Sequence, residues 1–274
     1  MHLPFGGRRA KNGLVRTNLS FVSVLPLVFA LVGGCSSPAH VEPAPSASTQ
    51  PLVQPIYHVH LPGIGGANFV HEWWLAEVRR ALPQPAESEI FDWICGDPFI
   101  HALQAYDRNH REAQRLATII TERHRNEPHT RLIVTAESGG CAPAVWMLEA
   151  LPDDVRIDTL VLISPALSEG YDLSNALKHV RGPAYVFTSH NDDFILGWGT
   201  RTFGTSDGLH LDAAGRDGFL EPAGSDPAEY AKLIQLPYRS EWVRYLNFGG
   251  HSQAMSPAFG KYVIAPMIVR AITG

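Results

Sequence analysis

Short apolar segments alternate with amphipathic helical segments along most of the chain after residue 55. Short apolar runs are typical of strands, whereas apolar residues that recur every three or four positions are typical of helices. We therefore predict strands over residues 56–61, 89–94, 131–136, 158–164, 184–189 and 241–248. Helices are predicted over residues 70–82, 109–125, 139–151, 171–180 and 252–272. This order predicts an α/β fold with a mostly parallel central sheet and helices on both faces.

The composition fits a globular protein and argues against several functional classes. With 45% hydrophobic and 18% charged residues, the chain can bury a full core. Its 22 basic and 27 acidic residues give a net charge of −5, so a surface that binds nucleic acid is not expected. The three cysteines, at positions 35, 95 and 141, fit neither a disulfide framework nor a zinc-binding pair.

The first 34 residues predict a secretory signal peptide. They contain four basic residues, no acidic one, and an apolar run over residues 21–32 that is too short to span a membrane comfortably. The run ends in Val-Gly-Gly-Cys, which resembles the lipobox of bacterial lipoproteins and implies acylation of Cys35 by fatty acids such as palmitate. Two alternatives stay open: an ordinary signal peptide in which Cys35 is incidental, and twin-arginine export through Arg8 and Arg9.

Residues 35–55 predict a flexible tether that joins the lipid anchor to a folded domain over residues 56–274. The tether is rich in Pro, Ala and Ser, which cannot bury enough apolar surface to fold. The expected partner at this end is a lipid bilayer, reached through the acyl chains. Ser36 stands where an aspartate would favour the inner membrane of some bacteria, so we expect the outer membrane, facing the periplasm.

A serine lies between a predicted strand and a predicted helix in the sequence Ala136-Glu137-Ser138-Gly139-Gly140. Small residues two positions before and two positions after a serine allow strand and helix to approach closely, so that a strained turn exposes the hydroxyl. The pattern therefore predicts that Ser138 is a nucleophile. The alternative is a serine that only caps the helix.

A nucleophilic serine needs an imidazole that takes its proton and a carboxylate that orients the imidazole. His251 follows the last predicted strand and two glycines, so it is the predicted base. Asp192 follows the strand before it and is the predicted acid, with Asp193 as the alternative. The resulting order of serine, acid and histidine is the one used by enzymes with a parallel sheet of this kind.

Backbone N–H groups that stabilise an oxyanion are expected at two places. One is Gly139, directly after the nucleophile, and the other is the glycine-rich turn after the first strand, where either Gly63 or Ile64 would donate. A phosphate-binding loop is disfavoured because no Gly-Lys-Ser/Thr sequence follows this turn.

With these residues in view, the chain resembles the α/β-hydrolase superfamily over roughly residues 56–272. It also resembles a group of exported bacterial hydrolases through Ser-Pro-Ala-Leu at residues 164–167 and the glycine-rich stretch at 199–219. The resemblance implies that Ser138 attacks an ester, thioester or amide of a small-molecule acyl substrate. An acyl-enzyme then forms and is hydrolysed, and neither a metal nor an organic cofactor is required.

Two other functional classes compete with this interpretation. His58 and His60 would lie on one face of a strand and could bind zinc, but Pro62 stands where a metallo-β-lactamase-like motif would place an aspartate. The second alternative is a non-catalytic, surface-tethered binding lipoprotein on the same fold.

Two further features leave alternatives open. Cys95 and Cys141 would form a disulfide if their elements are neighbours in the sheet, or would remain two buried free thiols. Residues 197–224 form a long segment without periodicity, which is either a cap that faces the substrate or a packed surface loop.

Overall fold

In a computed structural model of the protein, the structure describes residues 54–97, 99–191, 205–209 and 212–274. Within these ranges the strands are β1 Ile56–Leu61, β2 Ala86–Ile90, β3 Arg131–Glu137, β4 Thr159–Ile163, β5 Ala184–Thr188 and β6 Leu233–Pro237. They form one sheet in the order β2-β1-β3-β4-β5-β6, and every neighbouring pair is parallel. The predicted α/β fold with a parallel central sheet is confirmed.

Helices cover both faces of this sheet. The α-helices are α1 Phe69–Ala81, α2 Phe99–Gln104, α3 Tyr106–Asn126, α4 Cys141–Glu149, α5 Ser174–Lys178, α6 Ala214–Asp217, α7 Pro227–Tyr230, α8 Pro257–Phe259 and α9 Ala265–Thr273. Among the described residues, three short 3-10 helices cover Ser138–Gly140, Ser240–Tyr245 and Gln253–Met255, and Gly260–Ile264 is π-helical. In the part of the chain that the structure describes, none of the helices has both the length and the apolar character that crossing a bilayer requires.

The sheet separates two hydrophobic cores because successive side chains of a strand point to opposite faces. One core joins the sheet to α3, α4 and α5, and the other joins it to α1 and the C-terminal helices. On β3, Val134 and Ala136 belong to the first core, whereas Ile133 belongs to the second. Thr135 and Glu137 therefore lie on the same face as Ile133, under α1.

The early part of the chain follows the sequence prediction closely, with one displaced strand. The first strand covers residues 56–61 as predicted. The second strand was predicted at 89–94 but is β2, Ala86–Ile90, because the large apolar residues that follow leave the sheet. Phe91 and Trp93 are buried in the core. β2 itself is a half-exposed edge strand, and its polar sequence does not show the apolar run by which strands were predicted.

The prediction of the last strand, at residues 241–248, is wrong. Ser240–Tyr245 is a 3-10 helix, and the edge strand is Leu233–Pro237, whose sequence is short, half-exposed and ended by proline. The apolar residues of the 3-10 helix are divided, with Trp242 packed against the core and Val243 41% exposed. Apolar residues that recur every three positions in a short 3-10 helix resemble, in the sequence, the alternating apolar residues of a strand.

Three predicted helices and one predicted loop also differ in detail. The helix expected at 139–151 begins with a 3-10 turn and ends at Glu149, and the helix expected at 171–180 covers only Ser174–Lys178. The single helix expected at 252–272 is instead a series of 3-10, α and π segments. In the loop expected at 197–224, Ala213 and Ala214 are fully buried, so its described C-terminal half is packed and not a free lid.

The turn after β3 packs directly on the loop after β1. A Cβ atom built on Gly140 would lie 2.4 Å from the carbonyl oxygen of Pro62 and 2.7 Å from that of Leu61. Both are backbone atoms, which cannot move aside as a flexible side chain can. Glycine at position 140 is therefore required for this close approach.

We expect Gly140→Ala to lower the free energy of unfolding by about 3 kcal/mol, because the added methyl group overpacks a backbone contact. Gly170→Ala is the matched control, since a Cβ atom at that exposed glycine would meet nothing within 4 Å. It should change stability by less than about 0.5 kcal/mol. Denaturant unfolding of both variants makes the comparison, and equal stabilities would contradict the packing argument.

Candidate active site

Ser138 lies at the carboxyl end of β3, on the strained turn that leads into α4. Its φ angle is 51°, in the left-handed region that residues with a side chain rarely adopt. A strained residue at the end of a central parallel strand is a frequent mark of a functional site. The backbone carbonyl of Ser138 accepts a hydrogen bond from the N–H of Ala166 at 3.2 Å, which ties the turn to the loop after β4.

His251 contacts Ser138 directly. Its Nε2 atom lies 2.8 Å from the Oγ atom of Ser138, although the two residues are 113 positions apart in sequence. The loop that carries the histidine is held at Gly249, whose carbonyl oxygen accepts a hydrogen bond from Ser189 Oγ at 2.5 Å. Ser189 directly follows β5, so the end of the sheet positions the imidazole.

The two candidate acids, Asp192 and Asp193, lie outside the described residues. Asn191 is the last described residue before them, and its N–H donates to Ser189 Oγ at 3.2 Å. The assignment of the acid therefore stays a prediction.

The glycine-rich loop after β1 is fixed by hydrogen bonds at three successive backbone groups. The indole Nε1 of Trp93 donates to the carbonyl oxygen of Pro62 at 2.7 Å. The N–H of Gly63 donates to Glu137 Oε2 at 3.1 Å, and the carbonyl oxygen of Gly63 accepts from the N–H of Gly66 at 2.9 Å. Of the two residues proposed as loop donors, Gly63 thus already uses its N–H within the protein, which leaves that of Ile64.

The Ile64 and Gly139 residues, both candidate oxyanion donors, lie close together. A Cβ atom built on Gly139 would be 2.5 Å from Cγ2 of Ile64, so only glycine fits beneath that side chain. The loop after β1 and the turn after β3 therefore form one packed unit around Ser138.

Glu137 and His71 form a buried pair beside the nucleophile. Glu137 is 3% exposed, and its Oε2 atom accepts a hydrogen bond from His71 Nε2 at 3.0 Å. Burial alone would raise the pKa of Glu137, but hydrogen bonds from His71 and Ser252 and the electrostatic influence of His71 and His251 lower it to about 2. Glu137 is therefore a carboxylate at any physiological pH.

The two histidines considered as zinc ligands both form hydrogen bonds with a buried threonine. His58 Nε2 and His60 Nδ1 both form hydrogen bonds with Thr135 Oγ1, each at 2.9 Å. Burial lowers the pKa of His58 to about 3, and burial together with the neighbouring imidazoles lowers that of His60 well below its ordinary value. Across the ranges that the structure describes, no group of three or more His, Cys, Asp or Glu residues has a geometry that could hold a metal ion.

Ser138 and His251 open into a cavity of about 340 Å³. This volume is at the small end of ligand pockets. The cavity is lined by Gly63, Ile64, Gly65, Gly66, Asn68, Val70, His71, Glu137, Ser138, His251, Ser252 and Met255.

Cys95 and Cys141 are both free thiols. Cys141 is buried, as the free-thiol alternative expected, whereas Cys95 is exposed. Burial raises the pKa of Cys141 well above its ordinary value, so this thiol is not an activated nucleophile despite its place three residues after Ser138.

Sequence reasoning missed the role of Glu137 and His71. A usable signal was present: His58 and His60 on β1, and Thr135 and Glu137 on β3, are polar residues at alternate positions among the apolar residues of two strands. Polar groups in such a pattern share one face and need partners when that face is buried. Here the covering helix α1 supplies His71 as the partner of Glu137.

Comparisons with known proteins gave matches only among solved structures, since neither a protein-family model nor a curated protein matches the sequence. A protein from Thermus thermophilus is 15% identical, with a TM-score of 0.48 over 82% of this chain and 92% of that one. Lipase B of Aspergillus fumigatus is 12% identical, with a TM-score of 0.47 over 81% of this chain but 54% of the lipase. A cutinase-like protein from Cryptococcus is 11% identical, with a TM-score of 0.39 over 79% of this chain and 92% of that one.

The low pKa of Glu137 predicts how stability depends on pH. A carboxylate whose pKa falls from 4.5 to about 2 on folding stabilises the protein above pH 4.5 and loses that contribution as the pH falls toward 2. Between pH 6 and pH 3 the wild type should therefore lose about 2 kcal/mol of stability relative to Glu137→Gln. Denaturant titrations at both pH values measure this difference, and a pH-independent difference would show that Glu137 does not ionise as inferred.

Proposed function

We propose that this α/β-hydrolase-fold protein is a serine hydrolase that cleaves a small carboxylic ester, thioester or amide through an acyl-enzyme on Ser138. The observation that carries the proposal is the contact of 2.8 Å between Ser138 Oγ and His251 Nε2, made at a strained turn that opens into a cavity. A structural serine needs neither the strain nor an imidazole partner. An ester is the first choice because it is the commonest substrate of such a site.

In the first half of the reaction, Ser138 Oγ forms a bond to the substrate carbonyl carbon while its proton passes to His251 Nε2. The carbonyl electron pair moves to oxygen and forms a tetrahedral oxyanion. When this intermediate collapses, the bond to the leaving group breaks, and the leaving group takes the proton from His251. In the second half, water attacks the acyl carbonyl carbon and gives a proton to His251. The bond to Ser138 Oγ then breaks, Oγ takes the proton back from His251, and the acid is released.

The oxyanion would be bound by the N–H groups of Gly139 and Ile64. Gly139 follows the nucleophile on the turn, and the Ile64 side chain lies directly over it. Ile64 is preferred to Gly63 because the Gly63 N–H is held by Glu137. Two preorganised donors of this kind contribute roughly 3 kcal/mol each to stabilisation of the transition state.

Asp192 is proposed as the carboxylate that orients His251, with Asp193 as the alternative. Either residue comes shortly after β5, and Ser189 at the end of this strand already binds the loop that carries His251. A carboxylate from this part of the chain would hold the imidazole in the tautomer that leaves Nε2 ready to accept the serine proton.

The size of the cavity supports a small-molecule acyl substrate. At about 340 Å³ the cavity accommodates a short acyl group with part of its alcohol, but not a folded protein segment. Its walls combine apolar side chains, such as Val70 and Met255, with the polar groups at the reaction centre.

We further propose that the domain acts at a membrane surface of the bacterial envelope, at the outer membrane facing the periplasm. This proposal rests on the lipobox-like sequence before Cys35 and on the polar, proline-rich residues that follow. Acylation of Cys35 would anchor the chain with fatty acids, each buried methylene contributing roughly 0.8 kcal/mol.

A fluorophosphonate probe should label the purified wild-type protein at Ser138, because an activated serine attacks the phosphorus as it would a carbonyl. Ser138→Ala and His251→Ala should lose at least about 99% of the labelling rate, since each removes one half of the reacting pair. Mass spectrometry of the adduct locates the labelled residue.

Ser164→Ala is the matched control for this experiment. Ser164 also follows a central strand, is 5% exposed and has a positive φ of 48°, but it lies outside the cavity that Ser138 and His251 share. Its replacement should leave labelling unchanged. A folded wild type that is not labelled would overturn the proposal and favour the non-catalytic binding lipoprotein.

Replacing Cys35 should release the protein from the membrane fraction. In cells of the source bacterium supplied with labelled palmitate, we expect the wild type to be labelled and to sediment with membranes, and Cys35→Ala to be unlabelled. Cys95→Ala, which removes an exposed thiol of the folded domain, should behave as the wild type. Equal membrane association of all three proteins would refute the anchor.

A further inference from the structure

The carboxylate of Glu137 connects the nucleophile turn with the oxyanion loop. Glu137 directly precedes Ser138, yet its Oε2 atom binds the N–H of Gly63 on the loop after β1, 74 residues earlier in the chain. The same oxygen accepts a second hydrogen bond, from His71 on α1. One buried atom thus joins three elements of the site.

Hydrogen bonds fix two successive peptide groups of this loop, the Pro62–Gly63 group through its N–H and the Gly63–Ile64 group through its carbonyl oxygen. The Gly63 N–H points to Glu137, and the Gly63 carbonyl oxygen points to the N–H of Gly66. In a trans peptide group the N–H points opposite to the carbonyl oxygen. The Ile64 N–H must therefore point away from Gly66, out of the turn that these hydrogen bonds close.

The negative charge of Glu137 attracts the imidazolium that His251 becomes during the reaction, but it also acts on the oxyanion. The oxyanion that develops beside Ser138 is repelled by a second anion in the same poorly solvated cavity. A buried carboxylate is also costly unless its oxygens are fully hydrogen-bonded. Its hydrogen bond to the Gly63 N–H is a direct contact with the oxyanion loop, distinct from these effects of its charge.

We propose that Glu137 is a positioning residue that anchors the oxyanion loop beside Ser138 by binding the Gly63 N–H, so that the Ile64 N–H on the next peptide group stays aligned with the oxyanion. This inference rests on the proposed function. A charged acceptor suits the task because hydrogen bonds to a carboxylate are about twice as strong as those between neutral groups. A loop held in this way needs no reorganisation when the oxyanion forms.

The position of Glu137 is itself secured from the opposite side. His71 donates to the carboxylate, and its ring lies on that of His60, with the ring centres 5.5 Å apart. His60 is in turn held by Thr135, two residues before Glu137 on the same strand. The carboxylate is thus fixed to the sheet by a chain of buried side chains.

The test compares two replacements of Glu137 in the purified full chain, assayed with a short-chain nitrophenyl ester. Glu137→Met keeps the volume and removes the acceptor, so kcat should fall about 100-fold with KM within about threefold. Glu137→Gln keeps a neutral acceptor oxygen, so its kcat should be about tenfold higher than that of Glu137→Met. Glu149→Gln is the control, because Glu149 is also a partly buried acceptor, bonded to Tyr171, but lies outside the cavity.

A trifluoromethyl ketone inhibitor supplies a readout that a purely structural role would not change. Ser138 adds to its carbonyl and leaves an oxyanion in the hole, so its inhibition constant should rise in parallel with the loss of kcat/KM in both Glu137 variants. Affinity for the corresponding non-hydrolysable ether, which is neutral and forms no oxyanion, should stay within about threefold. The Glu149→Gln control should retain wild-type values throughout.

The outcomes separate this inference from the proposed function. A folded Glu137→Met with wild-type kcat, or with a loss confined to KM, overturns the positioning role while leaving the serine hydrolase intact. If Glu137→Met does not fold, Glu137→Gln decides, and a wild-type kcat in that variant overturns the role. A wild type without turnover that depends on Ser138 overturns the proposed function, and the positioning role with it.

Discussion

The site is organised by the close contact between two backbone segments, the turn after β3 and the loop after β1. Gly140 lies against the carbonyl groups of Leu61 and Pro62 at a distance that admits no side chain. Because β1 and β3 are neighbours in the sheet, their carboxyl ends meet at this point. This contact places Ser138 next to the loop that faces it at the cavity. Packing around the turn holds the strained backbone of Ser138.

A second organising feature is the polar stripe that crosses the otherwise apolar face beneath α1. His58 and His60 on β1 share the hydroxyl of Thr135 on β3, and Glu137 continues the stripe to the site. Each of these side chains makes at least one hydrogen bond within the stripe, so each member restricts its neighbours. The stripe is less stabilising than a fully apolar core would be. It fixes the geometry at the carboxyl end of the sheet, where the candidate site lies.

The sequence predicted the parts of the fold that depend on local pattern. The first strand and the strand-turn-helix around Ser138 could be recognised because their apolar runs and small residues lie within a few positions of each other. The edge strands β2 and β6 could not, since half-exposed strands carry polar residues and resemble loops. The pairing of Ser138 with His251 was accessible from chain order. The alternating polar residues of β1 and β3 indicate that Glu137 needs a partner, but they do not identify it as His71, because that depends on which helix covers the sheet.

The separation of Ser138 and His251 by 113 residues bears on how the protein acquires its reactivity. The serine turn belongs to the middle of the sheet, whereas the histidine loop is secured only after the last strand and the segments that follow it have packed on α1. Contacts between distant parts of a chain form late, since closing a long loop costs entropy before the contact is gained. A chain that is still being synthesised therefore carries Ser138 without His251, and the contact between the two is expected to be among the last to form.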